Sequence, residues 1–106
     1  MSGNSYTVKI APLGEADLES IYVYFFAELQ EKEIADKVTN LLKASILGLS
    51  DMPKSHPLAQ ESRLRKKGIH KLICENYVIP FLIDEKDKVV FVVRVFHGKM
   101  NYQKYL

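Results

Sequence analysis

The sequence contains little of what stabilises a secreted protein or anchors a protein in a membrane. Its one cysteine, Cys74, excludes an intramolecular disulfide and fits a reducing compartment such as the cytoplasm. The apolar runs, such as residues 89–93, are far shorter than the roughly 20 residues that a membrane-spanning helix needs. Residues 1–5 are polar overall, with neither a basic nor an apolar region, so they do not form a signal peptide. These features fit a protein of the cytoplasm, and the sequence predicts neither a membrane-spanning segment nor contact with a membrane.

Motifs for nucleotide binding, hydrolysis and redox chemistry are also missing. No glycine-rich dinucleotide loop, no P-loop and no GxSxG motif occurs. Among His56, His70 and His97 no pair has a metal-ligand spacing, and Cys74 has no CxxC partner. The sequence therefore predicts no metal site and no cofactor.

The charges of this 106-residue chain, which has the length of one domain (residues 1–106), are unevenly distributed. The net charge is only +2, yet residues 13–37 carry seven acids and two lysines, whereas residues 54–71 carry six cations and one glutamate. The last thirteen residues add three cations without an acid. Either contact with nucleic acid or an acidic protein, or ordinary solvated surfaces, explains this distribution, and the charges alone favour neither.

The first half of the chain predicts one strand and two helices. Residues 6–10 alternate apolar and polar side chains, as a half-buried strand does. Residues 15–29 and 34–49 repeat apolar side chains at helical spacing, and the short polar break between them predicts an antiparallel helical hairpin. Residues 51–69 show no period. A loop of this length in a small domain is either functional or a wrong assignment.

The last third of the chain is rich in strand-forming residues. We expect strands over residues 70–74, 77–83 and 88–96, the last of them buried on both faces because its apolar run is continuous. Pro80 lacks a backbone donor and predicts a bulge or broken pairing. Residues 101–106 add a short helical turn. The order β-α-α-β-β-β predicts an α+β domain in which the helical hairpin packs on a mainly antiparallel four-stranded sheet.

Charged and aromatic side chains of the second half form the candidate site. Lys and Arg hold phosphates and stabilise the transition state of phosphoryl transfer, while His, Tyr and Glu move protons in RNA cleavage. If the protein cleaves RNA, the catalytic candidates are His97, Glu61, Arg94, Lys99 and Tyr102. The candidates for binding a target or RNA are Arg63, Arg65, Lys66, Lys67, His70 and Lys71. The structural alternative is that His97 caps a strand and Tyr102 packs the tail against the sheet.

Several motifs occur in the order that one protein superfamily shows. In the first half they are Ala11, Asp17-Leu18, Ile21, Tyr24 and Leu49-x-x-x-Pro53. In the second half they are Gly68-Ile69-His70-Lys71-Leu72, Asn76-Tyr77-x-Ile79-x-Phe81-x-Ile83-Asp84 and Val92-Val93-Arg94-Val95-Phe96-His97-Gly98-Lys99-Met100-Asn101-Tyr102. With these residues the chain resembles the RelE/ParE toxin superfamily over nearly its whole length.

The resemblance implies a small cytoplasmic toxin of a bacterial type II toxin–antitoxin pair, with a barnase-like α+β fold and no cofactor. A cognate antitoxin wraps around such a toxin, and the complex contacts operator DNA only through the antitoxin. RelE-like members cut messenger RNA on the translating ribosome without a metal. ParE-like members inhibit DNA gyrase and lack the ribonuclease residues. The sheet edge, the helical hairpin and the basic loop are the surfaces that we expect to meet the antitoxin.

Two positions depart from the ribonuclease pattern of the superfamily. His70 stands where the superfamily has the arginine of Gly-x-Arg, and Met100 follows Gly98-Lys99 where RelE-like members have an arginine. A guanidinium lost at a reacting phosphate costs orders of magnitude in rate. The resemblance therefore favours a ParE-like toxin that acts on gyrase without catalysis. The alternatives are a RelE-like mRNA endonuclease and an interaction module without toxicity.

Overall fold

The computed structural model describes residues 5–106; the segment 1–4, part of the region where we expect no signal peptide, lies outside them. The helices are α1 (Pro12–Val23), α2 (Lys32–Leu47) and the short α3 (Ser62–Lys66). The strands are β1 (Thr7–Ile10), β2 (His70–Cys74), β3 (Tyr77–Asp84), β4 (Val89–Val92) and β5 (Phe96–His97). A π-helical turn extends α1 over Tyr24–Glu28, and 3₁₀ turns occupy Gly48–Ser50, Pro53–Ser55 and Tyr102–Tyr105.

The strands form one sheet in the order β1-β4-β3-β2, and β5 pairs with β3. β1 runs parallel to β4, whereas the other pairs of this sheet are antiparallel. The predicted helical hairpin on a mainly antiparallel sheet is confirmed. The sheet has five strands rather than four, because the predicted last strand is interrupted and its far end forms β5.

The interruption between β4 and β5 lies opposite Pro80. The pairs on either side of it are Phe81 with Val92 and Val78 with Phe96. Three residues on the β4–β5 side therefore face two on β3, which is a β-bulge. Pro80 has no N–H for the ladder, and its carbonyl accepts the N–H of Val93 at 2.9 Å. The bulge predicted from Pro80 is confirmed.

Successive strand residues point to opposite sides of the sheet, and other elements pack on both faces. The α1–α2 hairpin covers one face, and the core there includes Leu18, Leu42, Ile46, Ile79, Phe81, Val90 and Val92. On the other face a smaller cluster consists of Ala59, Leu64, Ile69, Val78, Phe96 and Tyr102. We call the side of the molecule formed by α3 and the C-terminal turn Tyr102–Tyr105 the α3 face.

Two sequence-based expectations are wrong in this region. β4 is not buried on both faces, since Phe91 is 39% exposed between the buried Val90 and Val92. The second cluster takes its strand residues from β3 and β5 and leaves β4 open on that side.

Residues 51–69 are not wholly a loop, because α3 forms within them. The fully buried Leu64 anchors this helix to the sheet.

The helical hairpin lies close to the sheet at Gly14. A Cβ added at this position would lie 2.9 Å from Cγ2 of Ile10, so glycine is the residue that fits without a shift. Pro12 supplies the fixed φ of the first helical turn. Within residues 5–106 no helix combines the length and the apolar character needed to cross a membrane.

Candidate functional site

Arg94 lies in the bulge and forms an ion pair with Asp17 of α1. Nε and Nη2 of Arg94 donate to the two carboxylate oxygens at 2.7 and 3.0 Å. The N–H of Val95 donates to the same carboxylate at 2.8 Å. The arginine and aspartate side chains are only 20% and 16% exposed. The hydrogen bonds to Asp17 raise the pKa of Arg94 above its usual value.

The same guanidinium also contacts the α3 face. Cζ of Arg94 lies 4.7 Å from the ring centroid of Phe96 and 6.0 Å from that of Tyr105, which are cation–π distances. Arg94 therefore joins α1, the bulge and the C-terminal turn. Its charge is already paired within the protein.

Replacement of Asp17 by alanine is expected to lower the free energy of unfolding by about 2 kcal/mol. The part-buried guanidinium of Arg94 and the N–H of Val95 would both lose their acceptor. Urea denaturation measures the change. Glu19→Ala, at an exposed position of the same helix, is the matched control and should change stability by less than about 0.5 kcal/mol. Equal effects at both positions would show that the ion pair contributes nothing.

Tyr102 and Glu61 are built into the packing of the C-terminal turn. Tyr102 is 8% exposed and stacks on Phe96 with ring centroids 5.8 Å apart, and burial raises the pKa of its hydroxyl. Glu61 accepts a hydrogen bond from the side-chain amide of Gln103, which lowers the pKa of the carboxyl group. Its Oε1 is buried and has no partner within residues 5–106. The packing role that was the alternative for Tyr102 is confirmed.

Four candidates for target binding, which we call the α3 cations, lie on or directly after α3. They are Arg63, Arg65, Lys66 and Lys67. Nη2 of Arg63 donates to the carbonyl of Gln103 at 2.7 Å, and Nζ of Lys67 donates to the backbone oxygen of Leu106 at 3.1 Å. The carbonyl of Gln103 is a neutral acceptor, so its bond fixes Arg63 without cancelling the charge of that side chain.

His70 and Lys71 are neighbours on β2 and point to opposite faces of the sheet. His70 stacks on Phe81 of the hairpin-side core with ring centroids 5.4 Å apart, and its Nδ1 donates to the carbonyl of His56 at 2.8 Å. Lys71 lies close enough to Glu61 for its charge to help lower the pKa of that carboxyl group. The structure thus brings Lys71 to the α3 cations and separates His70 from them.

His97 lies on the hairpin side of β5, since its neighbour Phe96 belongs to the α3 face. Its imidazole meets the ring of Tyr77 edge-on at 5.6 Å between centroids, and its Nδ1 accepts the N–H of Lys99 at 3.2 Å. His97 and Lys99 are both exposed. The sheet therefore separates His97 from Glu61 and Tyr102. The five catalytic candidates do not form one cluster.

The hairpin and the adjacent end of the sheet enclose an apolar groove of about 670 Å³, which we call the hairpin groove. Its apolar lining consists of Ile21, Tyr24, Phe25, Ile34, Val38, Leu41, Tyr77, Val95 and Met100. Tyr24, Ile34, Leu41 and Met100 are 40–48% exposed. Clustered apolar surface of this kind marks an interaction site. The sequence predicted that the hairpin is a binding surface but did not predict which residues line the groove. A signal was present, because α1 and the turn that follows it carry more apolar side chains than one buried helix face needs.

The arrangement offers two candidate binding surfaces. One is the cationic α3 face, and the other is the hairpin groove on the opposite side of the sheet. Among the described residues no three His, Cys, Asp or Glu side chains lie close enough together to hold a metal ion.

Comparisons with known proteins relate these surfaces to a family. The family model described as the ParE toxin of the type II toxin–antitoxin system parDE matches residues 8–102. No curated protein matches the chain in sequence. The chromosomal ParDE system from P. aeruginosa has a similar structure, with a TM-score of 0.74 and 18% identity over 92% of this chain and 100% of that chain.

Two further solved structures share the fold at low sequence identity. The RelBE2 toxin–antitoxin complex from Mycobacterium tuberculosis has a TM-score of 0.66 and 17% identity over 88% of this chain and 98% of that chain. A mutant of the E. coli toxin RelE in the free state has a TM-score of 0.65 and 12% identity over 95% of this chain and 92% of that chain.

A helical hairpin on a five-stranded sheet is thus the fold of the RelE/ParE class of toxins. Because the family model spans most of its length, the chain belongs to the ParE toxin family and is the toxin of a type II toxin–antitoxin system.

Proposed function

We propose that this toxin arrests bacterial growth by inhibiting DNA gyrase, and that it does so by binding rather than by catalysis. The separation of the catalytic candidates by the sheet carries this proposal. RNA cleavage needs proton-transfer groups and a cation at one phosphate. Here Arg94 is paired with Asp17, Tyr102 is buried, and His97 lies on the other side of the sheet. This arrangement supports a toxin without nuclease activity.

We also propose that a cognate antitoxin neutralises the toxin in the cytoplasm by occupying the hairpin groove. Structures of the same fold are described as a ParDE system and as a RelBE2 toxin–antitoxin complex. The groove is open and apolar, which suits an amphipathic helix that anchors side chains at i, i+3, i+4 and i+7. Binding of this kind depends on apolar burial, so its affinity should change little with salt.

The α3 cations and Lys71 are the residues that we propose to face the target. They lie on the side of the sheet opposite the hairpin groove. His70 is not included, because it packs into the core on the hairpin side. Arg63 and Lys67 are held in place by backbone oxygens, so part of this surface is ordered before it meets a partner.

Induction of the toxin in growing bacteria tests the proposed target. We expect growth arrest, loss of negative supercoiling in a reporter plasmid and intact messenger RNA. Co-expression of the antitoxin should restore growth. Codon-positioned cuts in translated messages, with plasmid topology unchanged, would instead support the ribosome-dependent mRNA endonuclease. Normal growth despite abundant toxin would support an interaction module without toxicity.

A further inference from the structure

The α3 face concentrates positive charge. Its cations are Arg63, Arg65, Lys66, Lys67, Lys71 and Lys104. Among the described residues, the ion pairs within 4 Å involve Lys32, Lys54, Lys88 and Arg94, none of which is one of these six. The carboxylate of Glu61 accepts a hydrogen bond from Gln103, and Lys71 and Arg63 are the cations close enough to help lower its pKa. The face therefore carries a large excess of positive charge.

The packing of α3 directs this charge outward. Leu64 is fully buried, and at 100° per residue its neighbours Arg63, Arg65 and Lys66 must point to the sides or away from the sheet. The carbonyl of Gln103 in the C-terminal turn holds Arg63 without neutralising it, and the backbone oxygen of Leu106 holds Lys67. A surface that combines two hydrogen-bonded cations with exposed ones is suited to a ligand that presents negative charges in series.

Three acidic residues form a group on the hairpin, on the other side of the sheet. Glu15, Glu19 and Asp36 line an open cleft of about 720 Å³ on the hairpin. An extended polyanion would repel this side and attract the α3 face, so the molecule would approach it in one orientation. Charge segregation of this kind gives both the attraction and the direction of approach.

We propose that the α3 face binds the phosphate backbone of duplex DNA directly. Six cations on and beside a short helix can contact the phosphates of a duplex, which such residues bind without reading sequence. Single-stranded nucleic acid is favoured by exposed aromatic rings that stack on bases. On this face Phe96 and Tyr102 are buried and stack on each other, and Tyr105, which is 54% exposed, packs one side of its ring against Phe96, so this face presents one open ring rather than a series. The inference rests on the proposed function, because gyrase holds a DNA duplex that a bound toxin can contact.

Fluorescence anisotropy with a labelled DNA duplex and the purified full chain tests this proposal. We expect the logarithm of the association constant to fall linearly with the logarithm of the salt concentration, with a slope of about −0.9 per phosphate contact. The double variant Arg65→Gln/Lys66→Gln should bind about tenfold more weakly at low salt, with a slope smaller in magnitude by about 2. Arg65→Lys/Lys66→Arg, which keeps both charges, should restore the affinity.

The matched control is Lys43→Gln/Lys86→Gln, which removes the same charge from exposed positions outside the α3 face. We expect it to bind DNA like the wild type. Equal losses in both double variants, failure of the charge-keeping variant to bind, or tighter binding to a single-stranded RNA of the same length would overturn the proposal. The titration contains no gyrase. A toxin that inhibits gyrase but does not bind DNA would therefore refute this inference alone, and the reverse result would refute the gyrase proposal alone.

Discussion

Replacement of Leu41 by glutamate is expected to weaken antitoxin binding at least about a hundredfold, while the variant remains toxic. Leu41 lies on α2 and contributes an apolar wall to the hairpin groove. A carboxylate there would lose its hydration when the antitoxin covers the groove, and the mainly apolar lining compensates little of that cost. Isothermal titration calorimetry with the antitoxin measures the change, and growth under co-expression shows whether neutralisation is lost.

Leu47→Glu is the matched control for this experiment. It introduces the same carboxylate on the same helix, at a leucine that is 63% exposed and does not line the groove. We expect its antitoxin affinity to match that of the wild type. If both variants bind antitoxin normally, the hairpin groove is not the antitoxin site.

The second large effect concerns Tyr102, for which the two proposed mechanisms predict opposite results. Tyr102→Phe should keep toxicity and change stability little, because the ring and not the hydroxyl fills the cluster on the α3 face. Tyr102→Ala should lower the free energy of unfolding by about 3–4 kcal/mol, a large part of the total for a domain of this size. Urea denaturation and a growth assay measure the two properties separately.

Tyr105→Ala provides the comparison within the same turn. Tyr105 is 54% exposed, so its removal should cost about 1 kcal/mol or less. A Tyr102→Phe variant that folds normally but no longer arrests growth would contradict this account. That result would instead support a role of the Tyr102 hydroxyl in proton transfer.

The helices and strands in which apolar side chains repeat regularly were predictable from sequence. The apolar stripes of α1 and α2 repeat over several turns, and the strands β2 and β3 follow their expected limits closely. Pro80 predicted the bulge because a missing N–H is a local property of one residue. The short α3 was missed because a helix of five residues with a single buried leucine shows no repeat.

The partition of the candidate site between two faces was not predictable, and the bulge is the reason. Val90 and Val92 point to the hairpin side, and counting onward in steps of two would place Phe96 there as well. The extra residue in the bulge reverses the alternation, so that Val95 belongs to the hairpin-side core and Phe96 to the α3 face. A sequence indicates that a bulge exists but not which residue it adds.

The pairing of Arg94 with Asp17 was also beyond the sequence analysis. The two residues are 77 positions apart, and each has a plausible role without the other. Asp17 suits the first turns of a helix, and Arg94 suits a phosphate. Packing of α1 against the bulge brings them together, and this contact removes Arg94 from the free cations.

A supercoiling assay with purified gyrase, relaxed plasmid and ATP tests the central claim most directly. The account predicts that the toxin in molar excess over gyrase blocks supercoiling, and that an equimolar amount of antitoxin restores it. Undiminished supercoiling in the presence of excess folded toxin would contradict the claim that this ParE-family toxin acts on gyrase.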